Sequence, residues 1–393
     1  MVSGGRRSSL HRPDFALLLG ILALVLLGTV LISSASVVMS KQVAKDPNFY
    51  IERHLLNLIG GFVLMFIGYR LDYAFWRKIA PYMIALGLFL VLLVFIPGIG
   101  FEHGGARRWI LFPFQFSPTE FFKLSLIIYL AAWFEKKGSH VKNLWKTTVP
   151  FWCVLILSVG LIIMQPDMGT MMVIASVASV MYFVAGASLS HIMAMVAMGI
   201  AGIIALIKFE PYRMARFTIF LNPTADQSGA GYQINQALLA IGTGGIFGLG
   251  FGQSRQKFNY LPEASTDSIF AVTAEELGFF RCTLIIALYI FVAIQGYKVA
   301  QKAPDAFSRL LAVGITTWIV VQSFINISAM MSLIPLTGVP LPFISYGSSS
   351  TLMLMFASGI LLNISRHTQG ETRENRSFRR RNWWSYLTNA GSH

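Results

Sequence analysis

The chain has 393 residues, 55% of them hydrophobic and only 12% charged, with a formal net charge of +14. Soluble domains carry about a quarter charged residues, so this composition excludes a soluble enzyme riding on one membrane anchor. The positive balance does not argue for nucleic acid, because basic helix flanks are drawn to anionic inner-leaflet lipid.

Apolar runs of the length needed to cross a hydrocarbon core recur along the chain. They lie at 14–38, 53–69, 79–97, 118–134, 149–164, 168–185, 189–207, 267–297, 308–331 and 341–364. The expected fold is an all-α polytopic membrane protein of about ten transmembrane helices. Its membrane domain spans 14–364, between a tail of residues 1–13 and a basic tail of residues 365–393. The first run is too long for the apolar core of a signal peptide and lacks a small-residue cleavage site, so it reads as a retained helix. Arg70, Arg77, Lys78, Lys136, Lys137, Lys298, Lys302 and Arg309 fall on one side when both termini are cytoplasmic, as the positive-inside rule asks. In the C-terminal tail, Arg379, Arg380 and Arg381 precede Trp383 and Trp384, a pairing suited to a headgroup-level anchor. Cys153 and Cys282 lie in different spans and read as small core residues.

The longest interruption, 208–266, falls on the extracytoplasmic side between the seventh and eighth helices. Its apolar GYQINQALLAIGTGG at 231–245 suggests an interfacial or re-entrant helix. Other polar features fall near the same expected ends: GGARRW at 104–109, FSPTEFFKL at 116–124, IMQPDMGT at 163–170 and LIPLTGVPLPFISYGSSS at 333–350. An external polar face requires these ends to cluster.

Asp267 stands where the loop meets an apolar helix, either as a carboxylate favoured by the helix dipole or as a mechanistic acid at a membrane boundary. Glu263 precedes it by four residues, in ordinary turn chemistry or as a partner that orients Asp267 or a cation. Glu275 and Glu276 lie farther along that helix, and at least one must point into the bundle. Glu120 and Lys123, three apart, share a helix face and form either a structural ion pair or part of a cavity wall. Arg107, Arg108, Arg213, Arg216, Arg255 and Lys257 supply external positive charge for lipid headgroups or for an anionic substrate. Asp167 reads as a helix cap. Gly338, Pro340 and Pro342 before SYGSSS read as a broken start to the last helix.

Together these blocks resemble the SEDS family (shape, elongation, division and sporulation proteins) over nearly the whole membrane domain. The strongest are GYQINQALLAIGTGG, QSRQKFNYLPEASTDSIFAVTAEELGF at 253–279 and LTGVPLPFISYGSSS at 336–350. RPDFALLL at 12–19, PTE at 118–120, QPDMGT at 165–170 and RMARFTIFLNP at 213–223 support them. The wording is closer to the division and sporulation members than to the elongation members. Ser117 and Thr119 depart from the family's QPSE, Ser348 stands where a glycine is usual, and Phe280-Arg281 follows EELGF where a glycine is common.

The resemblance implies a peptidoglycan glycosyltransferase that polymerises lipid II into glycan strands at the outer face of the cytoplasmic membrane. It also implies a class B penicillin-binding protein as partner, other divisome membrane proteins, and a place at the division septum. Asp267 matches the family's essential aspartate and becomes the expected catalytic base. Glu120 and Lys123 match its PSE-x-x-K pair. The expected substrate-binding set is Arg213, Arg216, Arg255, Lys257, Glu263, Arg108, Trp109 and Ser349. No metal-ligand cluster is visible, and assistance by Mg²⁺ or Mn²⁺ stays open. The rival readings are a flippase for a lipid-linked precursor and a noncatalytic division scaffold.

Overall fold

The computed structural model describes residues 12–103, 106–111, 116–222, 229–258 and 260–368. The two tails otherwise, with the basic C-terminal anchor motif, lie outside the described residues. The chain order is α1 (Phe15–Ala35), α2 (Val37–Ala44), α3 (Phe49–Arg70), α4 (Tyr73–Leu93), the strands β1 (Gly100–His103) and β2 (Ala106–Ile110), and α5 (Pro118–Lys137). There follow α6 (Val149–Ile163), α7 (Met168–Val184), α8 (Leu189–Phe209), α9 (Pro211–Leu221), α10 (Gly229–Gly244), α11 (Ile269–Gln301), α12 (Ala306–Met330) and α13 (Ser348–Arg366). β1 and β2 pair antiparallel, with Phe101 opposite Trp109.

Every apolar run expected from the sequence coincides with a helix. Among the described residues, eight helices are long and apolar enough to cross a membrane, one of them formed by α6 with the π-helical turn before it. The other two are α5, which carries Glu120, Lys123 and Glu135, and the 17-residue α7. The apolar stretches of α12 and α13 are 78% and 83% buried, so these helices form the centre. That of α8 is 6% buried, so it stands at the edge. α13 packs on α3, and α12 on α5, α7 and α11, while α1 packs on α11 with Leu17, Ile21, Leu24, Gly28 and Ile32 as its buried face. That spacing is one stripe of a 3.6-residue helix.

Three features depart most from expectation. The segment 208–266 holds two helices, α9 and α10, and α8 runs into it as far as Phe209. The last helix begins at Ser348 rather than 341, because Pro340 and Pro342 lack N–H groups and Phe343 sits at φ 63°. α11 is two helical pieces joined at Gly278, whose φ is 77°.

The break in α11 has a partner. α10 packs against α11 and ends in a turn through Gly248. Leu249 and Gly250 N–H donate to the Glu275 and Glu276 carbonyls, and Phe279 and Phe280 N–H donate back to the Gly245 and Ile246 carbonyls. A Cβ on Gly278 would stand 2.2 Å from Gly248 N, so only glycine permits this crossing. Backbone groups freed by a break must be satisfied inside a membrane protein, and here two breaks satisfy each other.

One end of the bundle is closed by simple caps. Asp14 accepts from Leu17 N–H, Tyr73 N–H donates to Asn363 Oδ1, and Arg77 pairs with Glu135 at 2.9 Å. The polar features from β2, α5, α7 and the 262–268 and 336–347 segments meet at the other.

Candidate functional site

Asp267 is the last residue but one in a run of turns from Pro262 to Ser268. Glu263, at φ 52°, receives the N–H groups of Thr266 and Ser268 on its carbonyl, which folds the segment back on itself. Neighbouring elements pin it: Gln233 of α10 donates to Ser268 Oγ (2.9 Å), Tyr346 N–H to the Ser265 carbonyl (2.9 Å), and Asn326 of α12 to the Asp267 carbonyl (2.8 Å). The backbone beneath Asp267 is thus held from three sides.

Its side chain is half-buried. Thr266 Oγ1 lies 3.1 Å from Asp267 Oδ1 and 2.7 Å from Glu263 Oε2, so one hydroxyl serves two carboxylates. Burial first, and then the negative charge of Glu263, push the Asp267 carboxyl up to about 6, against the pull of Thr266 and of the Arg108 guanidinium. A carboxylate with that affinity for protons is matched to base catalysis near neutral pH.

The facing wall is the segment Leu336–Gly347. Gly338, at φ 65°, sits where a Cβ would meet Asp267 Oδ2 at 3.6 Å and both terminal nitrogens of Arg108 at 4.0 Å. Acid and guanidinium therefore converge on one backbone point that carries no side chain. Arg108 also pairs with Asp167 at 3.4 Å, while Asp167 caps α7 through the Thr170 N–H (2.9 Å). Arg216 donates to the Leu336 carbonyl (2.9 Å). Arg108 Nε, Thr337 Oγ1, Gln165 Oε1, Asn326 Oδ1 and Glu120 Oε2 are buried without a hydrogen-bond partner. Buried polar atoms are normally paired, and orphans gathered at one end of a bundle suit a region that takes a polar ligand.

Glu120 and Lys123 are both buried on α5 and pair at 2.8 Å. Lys123 also donates to Gln322 Oε1 (2.8 Å) and lies 5.0 Å over the Trp318 ring. Gln322 passes the connection on, because its Nε2 donates to the Pro340 carbonyl (3.0 Å). A small apolar cavity between α5, α7 and α12 has Lys123 in its wall.

The remaining expected residues divide. Arg255 is exposed; its N–H donates to Glu275 (3.1 Å) and its carbonyl accepts from Phe258 N–H (3.1 Å). Trp109 is half-buried on β2. Arg213 is buried and donates to the Ile163 carbonyl (3.1 Å). Ser349 is buried and accepts from Ser117 N–H (2.9 Å), joining the start of α5 to α13. Lys257 points inward, 7% exposed, and pairs with Glu276 at 2.9 Å. The external charge expected of Lys257 is spent inside the bundle, where Glu276 needed a counter-ion. Of the family departures, Arg281 is exposed and donates to the Phe247 carbonyl (2.9 Å), and Ser348 accepts from Asn57 (2.8 Å).

Sequence reasoning missed Gln322 and Asn326. The signal was present: two amides four residues apart within the apolar WIVVQSFINIS, where side chains that bond across helices stand out.

Known proteins resemble this chain in sequence and in fold. Residues 15–370 match a family model described as cell cycle protein, covering FtsW, RodA and SpoVE. The chain is 40% identical to stage V sporulation protein E of Bacillus subtilis, over 91% of this chain and 98% of that one. It is also 40% identical to the probable peptidoglycan glycosyltransferase FtsW of Trichlorobacter lovleyi, over 90% and 93%. Among solved structures, a chain of a peptidoglycan synthase complex, studied for the coordination of polymerization and crosslinking, superposes with a TM-score of 0.76 at 27% identity, over 91% of this chain and 99% of that one. The rod shape determining protein RodA of Thermus thermophilus does so with a TM-score of 0.67 at 28% identity, over 91% and 98%. On sequence over nearly its whole length, and on fold, the chain belongs to the FtsW/RodA/SpoVE family of cell cycle proteins.

Proposed function

We propose that the chain is a peptidoglycan glycosyltransferase that polymerises lipid II at the outer face of the cytoplasmic membrane. Ten helices cross the bilayer, both termini are cytoplasmic, and the Asp267 end faces outward. The orientation is supported by the lysines and arginines at the capped end. The observation that carries the activity is the half-buried Asp267, its proton affinity raised to about 6, set against Arg108 across Gly338.

In the reaction, the acceptor's sugar hydroxyl attacks the anomeric carbon of the donor. Asp267 takes the hydroxyl proton, the new glycosidic bond forms, and the bond to the lipid diphosphate breaks with its electron pair leaving on the diphosphate. Arg108 and Arg216, which reach the 336–347 wall beside Asp267, are the cations positioned for that negative charge, and the exposed Arg255 is a third candidate. Asp267 and Glu263 are too few ligands for a protein cage; were Mg²⁺ or Mn²⁺ used, these two carboxylates would hold it and it would offset the diphosphate charge. A class B penicillin-binding protein and other divisome membrane proteins are the proposed partners at the septum, and copurification from native membranes tests them.

The purified protein, supplied with fluorescent lipid II, should form glycan strands. Asp267→Asn should lower the rate by about 10²–10⁴-fold, the usual worth of a positioned base. Unchanged strand formation in that variant would remove Asp267 from the mechanism. Lipid II movement across a vesicle membrane without polymer would assign transport instead.

A further inference from the structure

α12 presents two amides to the wall opposite Asp267, and their bonding follows from what that wall lacks. Pro340 and Pro342 have no N–H, and the turn the segment does close, from Ile344 and Ser345 N–H to the Leu341 carbonyl, starts beyond Pro340. The consecutive carbonyls of Val339 and Pro340 are left needing donors inside the bundle. Asn326, 1% exposed, gives one Nδ2 proton to Val339 and the other to the Asp267 carbonyl, both at 2.8 Å. One turn earlier, Gln322 donates to Pro340 (3.0 Å) and accepts from Lys123 (2.8 Å) and Trp318 (2.7 Å).

Asn326 Oδ1 is buried and unpartnered, so the two donors decide how this amide is oriented. A hydroxyl has one proton and a carboxylate none, so of the side chains short enough for this place an amide is suited to tie two carbonyls together. Gln322, in contrast, uses both its donor and its acceptor ends. The result is a continuous connection: Glu120 to Lys123, Lys123 to Gln322, Gln322 to Pro340, then through Val339 and Asn326 to the Asp267 backbone.

We infer that Gln322 and Asn326 are positioning residues that hold Asp267 against the 336–347 wall and tie its placement to the Glu120–Lys123 pair. The inference rests on Asp267 being the base. Neither amide needs to touch lipid II, so their loss acts on the chemical step and leaves substrate capture alone. A misplacement of about 1 Å at a reacting group costs on the order of 100-fold in rate.

The test is steady-state polymerisation over a range of lipid II concentrations, with the thermal midpoint of the same detergent-purified samples. Asn326→Ala should lower kcat by about 100-fold with KM within about twofold, in protein whose midpoint shows it folded. Gln322→Leu should lower kcat less, and the double variant should fall short of the product of the two losses, because both act on one connection. If Asn326→Ala fails to fold, Asn326→Ser carries the same expectation, since its hydroxyl cannot bridge both carbonyls. Unchanged kcat, a rise in KM alone, or fully multiplicative losses would overturn the connection. Asp267→Asn runs alongside: if it polymerises normally, the base assignment has failed, whereas an inactive Asp267→Asn with a fully active Asn326→Ala means that only the positioning role has failed.

Discussion

Among the described residues the bundle buries two lysine–glutamate pairs, and they are built differently. Lys257 spends all three ammonium protons, on Glu276 (2.9 Å), Ser34 Oγ (3.0 Å) and the Gly252 carbonyl (2.7 Å). Its carboxylate partner is likewise filled by Ser34 and by Ser254 N–H. Lys123 has two hydrogen-bond acceptors, Glu120 and Gln322, and Glu120 leaves Oε2 unpartnered in a buried place. The first pair ties α1, the loop after Gly252 and the upper half of α11 into one piece. The second leaves capacity unused beside a cavity and is wired toward Asp267. Saturation marks a strut, and the idle oxygen marks a group with something further to do.

That contrast can be broken. Glu276→Gln leaves the Lys257 charge buried with no counter-ion, and removal of one partner from a buried pair costs about 3–5 kcal/mol. The expected result is a sharply lowered thermal midpoint in detergent and little folded protein. Glu120→Gln likewise removes the counter-ion of a buried lysine, and Lys123 keeps Gln322 and the Trp318 ring as Lys257 keeps Ser34 and the Gly252 carbonyl. It should cost a similar amount, roughly 3–5 kcal/mol, and, unlike Glu276→Gln, lower polymerisation per folded molecule by at least about tenfold. Equal polymerisation per folded molecule in the two variants would end the distinction.

The smallest effect sharpens the electrostatics. Asp267 serves as base only without its proton, so the rate should climb about tenfold per pH unit below 6 and level off above it. Glu263→Gln removes the second cause of the raised affinity, so the acidic limb should move to lower pH while the plateau stays. A limb that does not move would show that burial acts alone.

Much of this was legible before any coordinates. The apolar runs named the helices because lipid demands about twenty apolar residues wherever a chain crosses. Asp267, Glu263 and Arg108 were visible as ionisable groups at the ends of such runs. What was not legible was direction. Lys257 and Arg255 are two residues apart in a charged loop, and only the meeting of that loop with α11 sends one inward and leaves the other exposed. The same holds for Ser349, which reads as a polar ligand in SYGSSS and proves to anchor Ser117. Asn326 escaped because its role depends on prolines in another segment. Periodicity locates a residue on a helix, and it cannot say which broken strand of backbone will come to lie beside it.

The crossing of Gly248 and Gly278 bears on how the molecule is made. α10 is synthesised first, yet the donors and acceptors that complete its turn belong to residues 275–280. At about 5–20 residues per second a ribosome needs a few seconds to deliver them. During that interval the hairpin cannot settle in hydrocarbon, and water or the insertion machinery must serve its open carbonyls. Residues 229–301 are therefore expected to complete their backbone bonding as one unit of assembly, with the loop that carries Asp267 enclosed between its two arms.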